Sequence, residues 1–458
     1  MAITHAKNAA SFVNNEARVN WHSAALLALR DKRDLQAKSV DEWERMREAA
    51  SQMKLHVLSH LPALLEEFSA RCESNGIIVH WARTAMEHNA IVADILQQRG
   101  RKKLVKSKSM LTEECHLVPY LEERGIECIE TDLGERILQL RGDPPSHIVV
   151  PAIHLKKEEI GELFHERLGT EDGASDPTYL TQAARESLRD DFLTADAAMT
   201  GVNMAIASEG AFVVCTNEGN ADMGAHLPDL HIAVMGMEKI VPDTASAALL
   251  MRMLARSAVG QPSTSYNSIF AAPRPGTEIH LVIVDNGRSR RMSDRRHAEI
   301  YKCIRCGACI NTCPVYRRSG GHSYDYFIPG PIGLAISGDN SEANSEAWAC
   351  TLCGSCSAIC PVKVPLYQTI AYHREQLAHH KHLPYGKNTY MPLVGMVMKS
   401  PRRMALAMWL ARLGMRLSPK PLLHRLGGGW TKSRDLPPPP RESFEAWYRK
   451  HGGVSDGH

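Results

Sequence analysis

Two cysteine quartets hold the densest chemistry in this chain. Cys303, Cys306, Cys309 and Cys313 precede Pro314, and the same spacing returns at Cys350, Cys353, Cys356 and Cys360 before Pro361. Each has the form C-x2-C-x2-C-x3-C-P, in which three closely spaced thiolates hold one cubane of iron and sulfide while the fourth reaches across to a second. The expected ligand sets are therefore crossed: Cys303, Cys306, Cys309 and Cys360 on one [4Fe-4S] cluster, Cys350, Cys353, Cys356 and Cys313 on the other. Gly307 and Gly354 ease the turns that let thiols three residues apart converge, with backbone amides pointing at the sulfides. Pro314 and Pro361 should then stop the local helix. Structural zinc is the competing use of C-x2-C pairs, but four evenly stepped cysteines ending in proline, twice, match zinc spacings poorly. A disulfide framework fits less well: the chain opens with no charged segment leading into an apolar run, which points to a reducing, cytoplasmic setting. Cys72, Cys115, Cys128 and Cys215 stand singly among apolar residues and read as buried small hydrophobes.

A second group of polar residues lies earlier, in Ala207-Ser208-Glu209-Gly210 and Thr216-Asn217-Glu218-Gly219-Asn220. Glycines there free the backbone, and Glu209, Asn217, Glu218 and Asn220 are candidates for a ligand pocket that orients an anion or carboxylate. The competing reading is a pair of tight turns whose side chains cap neighbouring groups. Glu238 and Lys239, after an apolar run, are either ligand contacts or a surface ion pair, the commoner arrangement. No G-x-G-x-x-G follows a strand and no G-x-x-x-x-G-K-[ST] occurs, so neither a flavin or NAD motif nor a phosphate loop is signalled. The 22 histidines show no metal spacing, and the chain is not expected to oxidise a substrate alone.

The elements that must position these residues follow from periodicity. Residues 1–70 are polar and helical in pattern, with apolar steps of three and four over 41–53 and 56–68, an N-terminal helical arm. From 70 to 290 short apolar strands (76–82, 103–107, 126–131, 147–152, 211–216, 231–235, 279–285) alternate with helices (113–124, 156–168, 178–199, 244–259). That alternation predicts an α/β domain with a mainly parallel sheet. A basic helix over 288–301 leads into the first quartet. The 36 residues between the quartets, with turns at Gly320-Gly321, Pro329-Gly330-Pro331 and Gly338, exceed what a compact hairpin needs, so residues 291–380 should form a helical two-cluster ferredoxin-type domain.

At 458 residues, 44% hydrophobic and formally +3, the chain is long enough for two or three domains, and no apolar run of about 18 residues suggests a membrane span. Charge is concentrated in the C-terminal extension, 381–458: between 381 and 451, 14 Lys or Arg face 3 Asp or Glu. A helix over 402–417, a linker at Gly427-Gly428-Gly429, a stiff spacer at Pro437–Pro440 and an aromatic end piece over 442–449 make up this part. Its basic, apolar helix suits an acidic partner or peripheral contact with the inner face of a membrane. No helix-turn-helix reader is apparent, so nucleic acid is not an expected partner.

The segments TGVNMAIASEGAFVVCTNEGN (200–220), HIAVMGMEKIVP (231–242) and EIHLVIVDNGRS (278–289), followed by the two quartets, resemble the lactate utilization protein B family over most of the chain. The resemblance implies an α/β domain related to the sugar-isomerase and CoA-transferase fold, then a helical two-cluster ferredoxin-type domain. It further implies an electron-carrying part in taking L-lactate to pyruvate, with lactate utilization proteins A and C as partners; the electron acceptor is not named by it, and a quinone or cytochrome is the expectation. The eight quartet cysteines carry over as cluster ligands. In CoA transferases of the related fold a glutamate is the nucleophile; Glu209 has a similar strand-end setting, but the motif around it differs and acyl transfer is not assigned. Two other readings remain: an acyl-transfer or isomerase enzyme with structural clusters, and a redox-sensing regulator.

Overall fold

The computed structural model describes residues 4–337, 343–379, 386–428, 431 and 434–451. The expected turn at Gly338, the residue His380 and Gly429 of the glycine run lie outside the described residues. Residues 4–379 form one compact body, and the described residues from 386 onward form a second.

Among its described residues the first body is built around ten strands: β1 Ile78–Ala82, β2 Lys103–Lys106, β3 Glu127–Glu130, β4 Ala197–Gly201, β5 Met204–Ile206, β6 Ala211–Thr216, β7 Leu230–Gly236, β8 Ile240–Val241, β9 Tyr266–Phe270 and β10 Glu278–Val284. Six form a wholly parallel sheet in the order β1-β10-β7-β4-β2-β3. Every residue of β7 is buried, the continuous apolar run of a strand covered on both faces. A smaller mixed sheet, β8-β5-β6-β9, was not anticipated by the alternation of elements. The fold class expected from the sequence is the one observed, an α/β body followed by a helical cysteine-rich module.

Three stretches differ from expectation for local reasons. The helix expected over 178–199 stops at Leu193, and Ala197–Gly201 is a central strand. The carboxylate of Asp196 accepts from the amides of Lys102 and Lys103 (2.9 and 3.0 Å), docking the alanine run beside β2, where Ala198 fits against Gly224 of the helix Asn220–His226. Residues 147–152 are not a strand: His147 Nδ1 accepts from the amides of Val149 and Val150, and Ser146 donates to Pro151 O, so the segment satisfies its backbone by turning on itself. The basic helix over 288–301 breaks into Arg288–Met292, Arg295–Ala298 and a 3-10 turn Glu299–Lys302, because Asp294 caps a fresh start through the amide of Arg296. Helix Ala308–Thr312 ends before Pro314, as expected, but Pro314 also opens the helix Pro314–Ser319.

The N-terminal helices do not extend as an arm. In Glu16–Lys38 the inward residues Val19, His22, Leu26, Arg33 and Ala37 recur at helical spacing, and Leu26, Met46 and Ala50 share one core with Cys306, Cys309, Cys356 and Cys360. Arginines finish the seam. Arg47 donates to Ala358 O (2.7 Å) and Cys360 O (2.9 Å), and Arg33 to Ile359 O (2.9 Å), which satisfies carbonyls freed at the end of the helix Ser355–Ile359.

The second body holds the helices Lys387–Met398, Pro401–Leu417, Lys420–Gly427 and Phe444–His451, none with a buried residue. Met396, Met398, Leu406, Trp409 and Leu417 are among its exposed apolar side chains. Among the described residues no helix is long and apolar enough to cross a membrane.

Candidate functional site

Both quartets follow one local path. Arg305 and Leu352, two residues after the first cysteine of each, adopt positive φ (60° and 53°), and Gly307 and Gly354 follow at 75° and 77°. A non-glycine residue in this region costs roughly 1–2 kcal/mol. In return the Arg305 amide donates to Cys303 Sγ at 3.3 Å and the Leu352 amide to Cys350 Sγ at 3.4 Å; the Val364 amide serves Cys360 Sγ likewise at 3.4 Å. The helices Ala308–Thr312 and Ser355–Ile359 then start, pack together, and join through Thr312 Oγ1 and Ser355 Oγ at 2.6 Å.

This pairing turns the chain back so that Cys303, Cys306, Cys309 and Cys360 line one cavity with Ile332 and Val362. Cys356 lies within electrostatic reach of Cys313, Cys350 and Cys353, and Cys313 within reach of the latter two. All twelve cysteines are free thiols. Burial pushes Cys356 up to about 12, and Cys313 and Cys360 up to about 11; neighbouring thiols add to each rise. Such thiols stay protonated near neutral pH until a cation takes them as thiolates. Among the described residues no three His, Cys, Asp or Glu side chains converge tightly enough to hold a single metal ion. Thiolates on separate irons of a cubane need only surround it, so the donor set fits an iron-sulfur cluster. Of the remaining cysteines Cys72, Cys115 and Cys128 are buried as expected, while Cys215 is half-buried.

A cavity of about 480 Å³ adjoins the first group and shares Cys306 with it. It lies where strands of the parallel sheet end: Ser107 follows β2, Asp132 follows β3, Asn203 follows β4, Glu238 and Lys239 follow β7, and Arg288 follows β10. The carboxyl edge of an open parallel sheet is the usual ligand position. Glu238 and Lys239 are not a surface pair. Glu238 is 2% exposed, with Oε2 2.7 Å from Arg288 Nε and Oε1 3.3 Å from Arg305 Nη2, while Arg288 also grips Glu114 through both oxygens at 2.7 and 2.9 Å. Although burial works to raise it, Arg288 and then Arg305 hold the Glu238 carboxyl down at about 2. A Cβ at Gly236 would collide with this pair. Burial lowers Lys239 to about 8 against the pull of Glu238, and lowers Lys54, which donates to Glu238 O at 2.6 Å, likewise to about 8.

Asn217, Glu218 and Asn220 all line this cavity, the first two exposed at its mouth. They also build a turn: Thr216 Oγ1 accepts from the amides of Glu218 and Gly219 and donates to Asn220 Oδ1, and Asn220 Nδ2 donates to Thr131 Oγ1. Glu209 does not join them. It is exposed, apart from the cavity, with its carboxylate accepting from Thr244 Oγ1 at 3.4 Å and its carbonyl from Asn75 Nδ2 at 2.9 Å. Arg288, Arg305, Glu114 and Lys54 were not singled out from the sequence. Arg305 carried a signal, being a cation inside the first quartet.

A LUD domain family model matches residues 65–292, and a 4Fe-4S dicluster domain model matches residues 299–364. The chain is 42% identical over 437 residues to the uncharacterized electron transport protein YkgF of Escherichia coli (strain K12), covering 90% of each. It is 40% identical over 440 residues to lactate utilization protein B of Oceanobacillus iheyensis (93% of this chain, 92% of the other). With lactate utilization protein B 1 of Bacillus mycoides it shares 41% over 444 residues (94% and 92%).

Proposed function

Because the chain belongs to the lactate utilization protein B family, pairing a LUD domain with a 4Fe-4S dicluster domain, we propose that it is the iron-sulfur electron-transfer subunit of a multi-protein system oxidising L-lactate to pyruvate. One observation carries this reading. Cys306 borders the α/β cavity, whereas Cys353 is exposed, so the two cysteine groups run from the cavity to the surface. In this reading Cys303, Cys306, Cys309 and Cys360 hold one cluster and Cys350, Cys353, Cys356 and Cys313 the second. Bound there, a [4Fe-4S] cubane supplies one-electron oxidation and reduction.

The chain's own residues set the conditions. Amides of Arg305, Leu352 and Val364 donate to thiolate sulfur, which favours added negative charge, and the apolar core around Cys306, Cys309 and Cys360 excludes water. Exposure on the Cys353 side suits exchange with a partner. Oxidation of lactate to pyruvate releases two electrons and two protons, so the system needs partners, which we take to be lactate utilization proteins A and C, and a terminal acceptor such as a quinone or cytochrome. The test combines the three proteins without oxygen, adds L-lactate and an acceptor, and measures pyruvate. Pyruvate should form with the wild-type chain and not with Cys353→Ser; none from the complete mixture with iron-loaded protein would contradict the proposal.

The C-terminal unit supports peripheral contact with an anionic membrane face: its apolar side chains are exposed, and no acidic residue occurs between 386 and 434. The full chain should sediment with anionic vesicles at low salt, and a chain ending at 379 should not. Equal sedimentation of the two would rule this contact out.

A further inference from the structure

The charged lining of the 480 Å³ cavity divides into groups that satisfy one another and groups that do not. Arg288 is taken by Glu114 and Glu238, Glu238 also by one edge of Arg305, and Lys108 by Asp132 at 3.4 Å and Val149 O at 2.9 Å. Arg305 Nη1 is buried with no hydrogen-bond partner. Lys239, close enough to Arg305 for the two cations to repel, makes no hydrogen bond or ion pair among the described residues. Glu218, the remaining carboxylate of the lining, is exposed at the mouth and accepts from the Asn217 amide, so what remains uncompensated in the interior is positive. Leu254, Val259 and Ile328 give the cavity an apolar part of its lining, and Cys306 borders it as well. A partly buried cation with unused donors is costly unless a ligand supplies the counter-charge. The volume falls in the range of small-molecule sites.

We infer that this cavity binds a small organic carboxylate, its carboxylate held between Lys239 and the free edge of Arg305, beside Cys306. The identity of the acid as a 2-hydroxy or 2-oxo acid rests on the proposed function; the site itself rests on Lys239 and the unused Nη1 of Arg305. Arg305 is then shared between ligand, Glu238 and the first cysteine group, which makes it a positioning residue for both.

The experiment titrates the iron-loaded full chain calorimetrically with pyruvate, L-lactate, uncharged L-lactamide and inorganic phosphate. Pyruvate or L-lactate should bind saturably and L-lactamide should not. Binding should weaken by about tenfold or more in Lys239→Gln and recover in Lys239→Arg, as loss and return of a charge-assisted contact require. The acid should also shift the paramagnetic resonance spectrum of the dithionite-reduced protein. No saturable binding of either acid up to about 10 mM, or phosphate binding as tightly as pyruvate, would overturn the inference. So would unchanged affinity in both Lys239→Gln and Arg305→Gln with iron content intact, since those cations would then serve only to balance the charge of the cysteine group. If pyruvate binds through Lys239 but the three-protein mixture makes no pyruvate from lactate, the site stands and the proposed function fails. Turnover without binding to this chain gives the opposite result.

Discussion

Cys306→Ser should lower the iron of anaerobically prepared protein by about half, from about eight to about four atoms per chain, as one of two [4Fe-4S] clusters is lost. Cys306 is buried and lines both the four-cysteine cavity and the α/β cavity, so no solvent-exposed group can replace its thiolate. Cys353→Ser should cost the other half. Crossed ligation makes a sharper statement: Cys360→Ser, although it falls in the second quartet, should leave the same spectrum as Cys306→Ser, and Cys313→Ser the same as Cys353→Ser. A Cys360→Ser spectrum that matched Cys353→Ser instead would mean that each quartet holds its own cluster. Unchanged iron in all four variants would remove the ligand assignment altogether.

Glu238→Gln should destabilise the first body by about 3–5 kcal/mol, because it leaves two buried guanidinium groups without their shared carboxylate. Arg288 would keep Glu114 at 2.7 Å, but among the described residues Arg305 pairs with no other carboxylate. The effect has a defined pH dependence. The folded carboxyl sits at about 2, below its ordinary 4.5, so the contribution is fully present above 4.5 and fades as pH falls toward 2. Chemical denaturation midpoints for wild type and Glu238→Gln should therefore differ by a constant amount around neutral pH and converge below pH 4.5. A difference under about 1 kcal/mol at neutral pH, the ordinary range for a surface change, would show that the arginines find other partners.

How much of this was visible in the chain depends on the range of the interaction. The quartets were legible because cluster ligation imposes a short, rigid spacing, and the strands over 231–235 and 279–285 because buried parallel strands leave unbroken apolar runs. Ala197–Gly201 was not, since alanine and methionine suit a helix equally and the docking of Asp196 on the amides of Lys102 and Lys103 at the start of β2 favours the strand. The turn around His147 depends on a side chain that caps its own backbone and meets Asn311 at 3.0 Å, a partner 164 residues away. The same separation hid the cavity. Glu238, Arg288 and Arg305 are unremarkable one by one and become a buried ion group only when the ends of β7 and β10 meet the first cysteine loop. Glu209 misled in the opposite direction, because a glutamate next to a glycine at a strand end serves a surface turn as well as a site.

The most direct measurement follows paramagnetic resonance signals after L-lactate is added, without oxygen, to the iron-loaded chain with lactate utilization proteins A and C. The account predicts reduced-cluster signals that appear with L-lactate and are lost or altered in Cys306→Ser. Intact clusters that accept electrons from dithionite yet stay oxidised with L-lactate in the complete mixture would contradict it.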